Sequence, residues 1–406
     1  MAFAVARSWR EAVVDLLARD RLAQPDELPL AVNAAAAPLG IDITMYAVDQ
    51  EQRVLRPVPH PGRALPPPLP VRSAIAGRVF MSSQPLSTAS GPAEPARLWM
   101  PLLDGTDRLG VLEVVATDPA ADLDDPEFRA QCDMFTQLVG HLFATKIPYG
   151  DALLQVRRTR RMSEASELVW KLLPPLTFTC HRMVISAILE PCYEVGGDGF
   201  DYAVNGSGVH FAVFDTAGHD LRAGLGTATV LSAIRAARRD GDGLYAMARA
   251  ADRALAAYTP ELRYTTAVLG HLDLDTGLLR YINAGHPEPL LLRHGKVVRR
   301  LGGGRRMPLG VDDPQIKVAE ETLEPDDRLV LFTDGVTDAR DLDGAAFGEH
   351  RLVELVERQA AAGLPAPETL RRLCHAALAH YDGPPTDDAT LLIVEWSDSA
   401  ARRVMP

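Results

Sequence analysis

Residues 193–202 read Tyr-Glu-Val-Gly-Gly-Asp-Gly-Phe-Asp-Tyr, and this stretch decides the fold of the second half of the chain. It places carboxylates among glycines, between an apolar run at residues 184–189 and another at 200–204. Short apolar runs bounded by glycine predict buried β-strands. We therefore expect acidic side chains held in a turn between two strands.

Other aspartates occupy similar positions further along the chain. A hairpin predicted by Asn205-Gly206 ends on an aspartate, the run 329–332 stops just before another, and the run 389–394 follows a third. A strand end is a good platform for a ligand because the backbone is fixed while the side chain reaches into a loop region. Four aspartates are therefore expected to converge: Asp198, Asp215, Asp334 and Asp387.

Carboxylates without histidine or cysteine favour hard cations, so the sequence predicts Mg²⁺ or Mn²⁺ rather than Zn²⁺. Two such ions about 3.5–4 Å apart can share a hydroxide and clamp a phosphoryl group during in-line attack. Without ions, the clustered charges would repel one another at neutral pH. Taken singly, each aspartate is equally well explained as a turn or helix-cap residue.

The segment from about Arg182 to Trp396 resembles bacterial PPM (PP2C-like) serine/threonine phosphatases. The resemblance is to the branch of the sporulation phosphatase SpoIIE and the stress-response phosphatase RsbU. It rests on motifs that occur in the family's order: Val195-Gly196-Gly197-Asp198, Phe214-Asp215-Thr216-Ala217-Gly218-His219, Tyr281-Ile282-Asn283-Ala284-Gly285-His286-Pro287, Pro308-Leu309-Gly310, Phe332-Thr333-Asp334-Gly335-Val336-Thr337-Asp338 and Asp387-Asp388-Ala389-Thr390.

The resemblance implies a site for two Mn²⁺ or Mg²⁺ ions that Asp215 bridges. Asp198 and the backbone carbonyl of Thr216 would bind one ion, and Asp334 and Asp387 the other. It leaves open the roles of three neighbours: Asp201, His219 and Asp388.

The chain departs from the commoner motif pattern at two places. Gly199 stands where many relatives place an aromatic residue, and Asp220 where many place a glycine. Because the ligand positions remain, we expect metal binding to persist. His219 could donate a proton to the leaving serine or could be a hydrogen-bonded loop residue, and His286 is expected to be a structural turn residue outside the site.

Residues 25–147 contain three motifs in order: Ala76-Gly77-Arg78-Val79-Phe80, Leu98-Trp99-Met100-Pro101-Leu102 and Leu109-Gly110-Val111-Leu112-Glu113-Val114. With these motifs, the segment resembles a GAF sensory domain. The residue pattern of this segment predicts a helix at 30–39, strands at 41–48, 53–58, 97–103 and 109–116, a short helix at 73–80 and a last helix at 126–144. A GAF fold implies a pocket over an antiparallel sheet. The sequence identifies no ligand for it, and a purely structural, dimerising GAF domain is an equally good hypothesis. The proline cluster 66–70 is expected to be a rigid surface loop.

Two helices flank this segment. Residues 1–24 contain an amphipathic helix with Val13, Val14 and Leu17 on one side, which could pack on the next domain or on a second copy of the chain. Residues 148–176 are predicted to be a linker helix that Asp151 caps and that runs to Leu173. Such a helix could link the domains rigidly, and the resemblance implies that it transmits the sensor's state.

Composition sets limits on partners and location. The 406 residues permit two or three domains, and 47% hydrophobic content is typical of globular proteins. Lys+Arg 42 against Asp+Glu 54 gives a net charge of −12, which argues against a nucleic-acid partner. The chain shows no apolar span of membrane length and no signal peptide, so it is expected to be cytoplasmic. The four cysteines indicate neither a disulfide framework nor a zinc site.

The fold class expected is α+β: a GAF-like domain, a linker helix, and a PP2C-like β-sandwich flanked by helices at residues 180–397. The expected function is hydrolysis of phosphoserine or phosphothreonine on a protein by metal-activated water. By resemblance, the substrate is a phosphorylated anti-anti-sigma (STAS-type) protein, and the chain is a homodimer. Two alternatives remain: a non-catalytic sensor or scaffold of the same fold, and a diguanylate cyclase suggested by residues 196–200.

Overall fold

The computed structural model describes residues 2–89, 95–117, 122–190, 193–194, 196–218, 220–258, 264–315, 317–381, 385 and 387–405. The chain divides into two compact units, Met1–Arg160 with Val404–Pro406, and Arg161–Arg403. The expected N-terminal helix and GAF-like segment fall in the first unit, and the expected phosphatase segment falls in the second. None of the described helices is long and apolar enough to cross a lipid bilayer.

The first unit is built on one antiparallel sheet. Its described strands are β1 (Ile41–Val48), β2 (Val54–Pro57), β3 (Leu69–Pro70), β4 (Leu86–Thr88), β5 (Arg97–Asp104) and β6 (Asp107–Ala116). They pair in the order β3-β2-β1-β6-β5-β4. The strands predicted from apolar runs are all present, whereas the short edge strands β3 and β4 were not predicted.

Helices cover both faces of this sheet. The described helices of the unit are α1 (Ala2–Asp20), α2 (Leu28–Ala36), α3 (Ile75–Ser82), α4 (Pro126–Lys146) and α5 (Ala152–Arg157). α1, α2 and α4 share one core with the sheet. On the other face, α3 packs over Tyr46 and Trp99, which are buried with Phe80 in a second core. Packed side chains therefore occupy that face, where a GAF-like fold implied a pocket.

The N-terminal helix α1 packs on its own unit, but through a different face from the one expected. Trp9 contacts the rings of Phe128 and Phe135 with centroid separations of 5.9 and 6.0 Å. Trp9 and Leu16 are both buried in the core. Because they are seven residues apart, they lie on the same face of α1. Val14 and Leu17 are 60% and 48% exposed and take no part in this core, so packing of their face on a second copy stays a prediction.

The segment 148–176 is not one continuous helix, which corrects the sequence prediction. α5 ends at Arg157, Arg158 takes extended backbone angles (φ −97°, ψ 137°), and a new helix, α6 (Glu164–Leu172), begins only after Ser163. The Ser163 hydroxyl accepts a hydrogen bond from the Ser166 amide, which makes it the cap of α6. Asp151 precedes α5 but makes no side-chain capping bond. Adjacent arginines between the two helices add like-charge repulsion, which disfavours a helix there.

The second unit is a sandwich of two sheets. Its described strands are β7 (Thr177–Cys180), β8 (Met183–Glu190), β9 (Asp198–Asn205), β10 (Gly208–Thr216), β11 (Thr265–Asp273), β12 (Leu278–Ala284), β13 (Leu290–Arg293), β14 (Lys296–Arg300), β15 (Arg305–Arg306), β16 (Ala319–Thr322), β17 (Asp327–Phe332) and β18 (Ala389–Trp396). One sheet has the order β15-β12-β11-β10-β9 with β16 also on β12, and the other has the order β14-β13-β17-β18-β8-β7. Pairing between the named strands is antiparallel except between β12 and β15.

Successive side chains along a strand point to opposite faces of the sheet, so a strand covered on both faces contributes to two buried layers. In β10, Val209, Phe211 and Val213 face the core between the two sheets. Ala212 and Phe214 face the opposite side, against helices on the outer face of the sheet. The described helices of the unit, besides α6, are α7 (Leu221–Arg239), α8 (Leu244–Tyr258), α9 (Asp334–Thr337), α10 (Glu349–Ala361) and α11 (Ala366–Leu378). α7 and α8 cover the first sheet, and α11 packs on β8 and β18 of the second. The predicted fold class, α+β with a helix-flanked sandwich, is confirmed.

Candidate metal centre

The predicted metal ligands come from both sheets of the sandwich. Asp198 begins β9 and pairs directly opposite Asp215 on β10. In the other sheet, Thr333 follows the end of β17 and Asp334 begins the short helix α9, while Asp387 precedes β18. Since β17 and β18 are antiparallel neighbours, the end of one and the start of the other lie side by side.

Asp388 joins the two sheets at this end of the sandwich. Its Oδ2 accepts hydrogen bonds from the backbone amides of Gly196 (2.8 Å), Gly197 (2.8 Å) and Asp198 (3.2 Å). Asp388 is 5% exposed, so these bonds lie in a mostly buried environment. Asp388, whose role the sequence left open, is therefore a positioning residue that holds the glycine loop carrying Asp198.

Thr333 makes a second connection between the sheets. Its hydroxyl donates to Asp198 Oδ2 at 2.7 Å and accepts from the amide of Thr390 at 2.9 Å. Both threonines are fully buried. One hydroxyl thus fixes the orientation of the Asp198 carboxylate relative to β17 and β18.

Thr216, whose carbonyl is an expected ligand, is held by a threonine cluster. Its hydroxyl lies 2.9 Å from the Thr227 hydroxyl and 3.0 Å from that of Thr265. The Thr227 hydroxyl also donates to the Gly197 carbonyl. A Cβ on Gly197 would lie 2.2 Å from the Thr216 carbonyl oxygen, so only glycine permits this approach.

The turns carrying Asp334 and Asp387 pack on each other in the same way. A Cβ on Gly335 would lie 1.9 Å from the carbonyl oxygen of Asp388 and 3.4 Å from the Cβ of Asp387. Glycine at 335 therefore lets the backbone of α9 rest directly on the residues before β18. This contact brings Asp334 beside Asp387, although 52 residues separate them in sequence.

The proximity of the carboxylates raises their proton affinity. Burial, followed by the charges of Asp388 and Asp215, raises the pKa of Asp198 well above its usual range. Burial, followed by the charges of Asp334, Asp387 and Asp388, raises the pKa of Asp215 to about 7. Desolvation, followed by the charge of Asp387, raises the pKa of Asp334. Cations at this site would relieve the mutual repulsion.

The donor set suits hard cations, because it consists of carboxylate and carbonyl oxygens. Among the described residues, no three His, Cys, Asp or Glu side chains are grouped closely enough to surround one ion by themselves. An ion at this site would therefore also need carbonyl oxygens or water, as Mg²⁺ commonly does. The assignment of Asp198, Asp215, Thr216, Asp334 and Asp387 to two ions remains a prediction.

Two polar residues behind Asp215, Thr266 and His286, were not predicted from the sequence to be part of the site. The Thr266 hydroxyl donates to Asp215 Oδ2 at 3.4 Å and lies 2.8 Å from His286 Nδ1. Which atom donates in the Thr266–His286 pair depends on the tautomer of the imidazole ring. Burial lowers the pKa of His286 to about 3, so the ring is neutral at physiological pH. The amide of His286 also donates to Asn283 Oδ1 at 2.8 Å, in keeping with the expected turn role.

Asp201, whose role the sequence left open, is a structural residue. It is 1% exposed and pairs with Arg235 at 2.7 Å and Arg238 at 2.6 Å, which ties β9 to α7. Arg235 also donates to the carbonyl of Leu172 at the end of α6. His219, proposed either as a proton donor or as a loop residue, lies outside the described residues.

Residues 205–397 match the family of Stage II sporulation protein E, SpoIIE. The match spans 193 of the 406 residues, just under half of the chain, and this region is similar to the SpoIIE family of PP2C-type phosphatases. The SpoIIE match includes Asp215, Asp334 and Asp387, whereas Asp198 lies before its first residue.

Two curated relatives are similar to the chain at low identity. Protein IcfG of Synechocystis sp. is 24% identical over 285 residues, which cover 62% of this chain and 43% of IcfG. Phosphoserine phosphatase RsbU of Bacillus subtilis is 23% identical over 212 residues, which cover 52% of this chain and 62% of RsbU. The chain thus spans less than two thirds of the length of either relative.

Solved structures are similar over about half of the chain. The SiaA-PP2C domain of Pseudomonas aeruginosa is 23% identical with a TM-score of 0.49, covering 57% of this chain and 94% of that domain. The RsbU and RsbW domains of Rv1364c from Mycobacterium tuberculosis are 24% identical with a TM-score of 0.48, covering 53% and 62%. The identification rests on the SpoIIE family match.

Proposed function

We propose that the chain is a metal-dependent protein serine/threonine phosphatase that acts on a phosphorylated anti-anti-sigma (STAS-type) protein under control of its N-terminal GAF-like unit. The observation that carries this proposal is the meeting of Asp198 and Asp215 from one sheet with Asp334 and Asp387 from the other. The raised pKa values of Asp198, Asp215 and Asp334 mark a cluster that favours cations.

The residues of the chain hold and shape the site. Two Mn²⁺ or Mg²⁺ ions, when bound, supply a water of lowered pKa and neutralise charge on the phosphoryl oxygens. Asp198, Asp215, Asp334 and Asp387 would hold them, with the Thr216 carbonyl. Asp388 and the buried threonines keep these oxygens in place, so that little reorganisation is needed when phosphate enters.

The finer parts of the proposal have separate support. The name of the relative RsbU, a phosphoserine phosphatase, supports phosphoserine as the substrate group. The order of helices and strands in the first unit supports a GAF-like sensor, and a dimer through that unit is part of the proposal. A STAS-type substrate would place the chain in the cytoplasm, without a membrane or nucleic-acid partner.

The experiment must distinguish the phosphatase from a scaffold of the same fold that has no catalytic activity. A scaffold would not require the four acids or the hydrogen bonds that position them. Their presence therefore favours the enzyme. The SpoIIE match gives no support to the diguanylate cyclase alternative, and residues 198–200 lie in the antiparallel strand β9.

The test is phosphate release from p-nitrophenyl phosphate and from a phosphoserine STAS protein, with Mn²⁺ or with chelator. We expect Mn²⁺-dependent release that Asp215→Asn and Asp334→Asn abolish. Asp275→Asn is the matched control, because Asp275 lies in the turn between β11 and β12 at the opposite end of the sheet, where it pairs with Arg182. Folded protein that binds Mn²⁺ but releases phosphate from neither substrate would refute the proposal in favour of the scaffold.

A further inference from the structure

The first unit contains a pocket that none of the foregoing functions uses. It has a volume of about 470 Å³ and lies between the proline-rich segment after β2 and helix α5. Most of its wall is apolar, including Pro57, Pro59, Pro61 and Pro68 from the segment and Leu153 and Val156 from α5. Its size is in the usual range of small-molecule sites, about 300–1,000 Å³.

The proline-rich wall is held rigidly, so the pocket is largely formed without a ligand. The amide of Val58 donates to the carbonyl of Met45 on β1 at 2.8 Å. Arg63, in the middle of the segment, donates to Asp42 at 2.6 Å. Proline also fixes one backbone angle at each of its positions. Little ordering free energy is lost when a ligand binds to a rigid wall.

Two polar groups in the wall have unused hydrogen-bonding capacity. The guanidinium of Arg56 has no hydrogen bond or ion pair to any described residue of the chain. His60 Nδ1 lies 2.8 Å from the carbonyl oxygen of Pro61, and since a carbonyl only accepts, Nδ1 carries the proton. In the neutral ring Nε2 is then an acceptor, and it is buried without a partner among the described residues. A buried acceptor without a donor is costly, which favours a ligand that supplies one.

We propose that this pocket binds a flat, mostly apolar monocarboxylate that also carries one N–H or O–H donor. Arg56 would bind the carboxylate, for which its planar fork of donors is suited. His60 Nε2 would accept from the donor, and the prolines would cover the apolar body. Asp26, exposed at the rim, disfavours a second carboxylate by charge repulsion. Because α5 supplies part of the wall, the ligand would also stabilise α5.

The probe is indole-3-acetate, titrated calorimetrically into the full chain, with 1-methylindole-3-acetate as the matched compound that lacks the N–H donor. Hydrogen bonds to charged groups contribute about 1.5–3 kcal/mol, so we expect Arg56→Gln to weaken binding by at least about tenfold. His60→Leu should remove the preference for the N–H compound. Arg72→Gln, which removes an exposed positive charge outside the pocket, should leave the affinity unchanged.

Hydrogen exchange adds a readout that does not depend on the variants. The amides of α5 should exchange more slowly with indole-3-acetate present than with indole alone. Should Arg56→Gln fail to fold, Arg56→Lys keeps the charge but loses the planar fork, and we expect it also to bind more weakly. Absence of saturable binding at millimolar probe, or binding that Arg56→Gln and His60→Leu both leave unchanged, would overturn the proposal. Neither outcome depends on phosphatase activity.

Discussion

Replacement of Asp388 by alanine should destabilise the second unit and weaken metal binding together. The carboxylate accepts from three backbone amides at 2.8, 2.8 and 3.2 Å, of which the third is at the long limit for a hydrogen bond. Two good bonds to a charged acceptor contribute about 1.5–3 kcal/mol each. Since some water will enter the vacated space, we expect the free energy of unfolding to fall by about 3–5 kcal/mol.

Asp388→Ala also removes charge repulsion, which by itself would raise the free energy of unfolding. The size of this gain decides whether the variant is more or less stable than the wild type. Two unit charges 4 Å apart repel by about 4 kcal/mol at an effective dielectric constant of 20. That repulsion requires both carboxylates to be ionised. Because the pKa of Asp198 is raised well above its usual range, Asp198 takes up a proton readily when no cation is bound. Removing Asp388 therefore relieves little repulsion in the metal-free protein, and the hydrogen-bond loss dominates.

The assay is urea unfolding at pH 7 with chelator, followed by calorimetric titration with Mn²⁺. For Asp388→Ala we expect the lower unfolding free energy and Mn²⁺ affinity reduced by about 10–100-fold, as for other residues that orient metal ligands. Asp387→Asn is the matched control: its exposed side chain can still accept from the Asp388 amide, so it should weaken Mn²⁺ binding without loss of stability. If Asp388→Ala unfolds within about 1 kcal/mol of the wild type, the positioning role inferred from three hydrogen bonds is wrong.

Two further predictions concern the surroundings of the site, and a third concerns His210 at the other end of β10. Gly335→Ala, whose Cβ would lie 1.9 Å from the Asp388 carbonyl oxygen, should abolish phosphate release and lower the melting temperature; a fully active variant would contradict the packing described. Thr266→Val removes the donor to Asp215 and should weaken Mn²⁺ binding several-fold while Thr266→Ser retains it, as titration calorimetry can measure; equal affinities of the two variants would exclude a role for the hydroxyl. Burial, followed by a neighbouring histidine, lowers the pKa of His210 to about 4, so the stability from its neutral form is present above about pH 6.5 and is lost as pH falls toward 4. In chelator between pH 7 and pH 5, the wild type should lose about 1 kcal/mol more stability than His210→Gln, after allowance for partial exposure, and equal losses would refute the cause given.

Local patterns in the sequence were sufficient for the regular elements. The apolar runs at residues 184–189, 329–332 and 389–394 correspond to the observed strands β8, β17 and β18. The four aspartates predicted to bind metal were selected because each stands next to an apolar run. Such signals depend only on neighbours in sequence, which is why they can be read without a structure.

Features that depend on distant residues could not be read in this way. Asp388 bonds to amides about 190 residues away, and nothing beside it in sequence indicates that pairing. Thr333 and Thr266 resemble ordinary strand residues until the sheets are assembled. The break between α5 and α6 was missed, although the adjacent arginines, the absence of an apolar residue at 157–161 and Ser163 were signals that could have placed it.

The position of β18 has a consequence for how the protein is made. β18 is the last described strand in sequence, yet it lies inside its sheet, between β17 and β8. On the ribosome, both of these strands emerge long before the strand that separates them. Until residues 387–396 are available, the nascent chain lacks Asp387, Asp388 and the central strand of that sheet. Non-local pairing of this kind is slow to form and leaves strand edges exposed. We therefore expect the metal site to be among the last parts of the molecule to form, so that no translation intermediate is an active phosphatase.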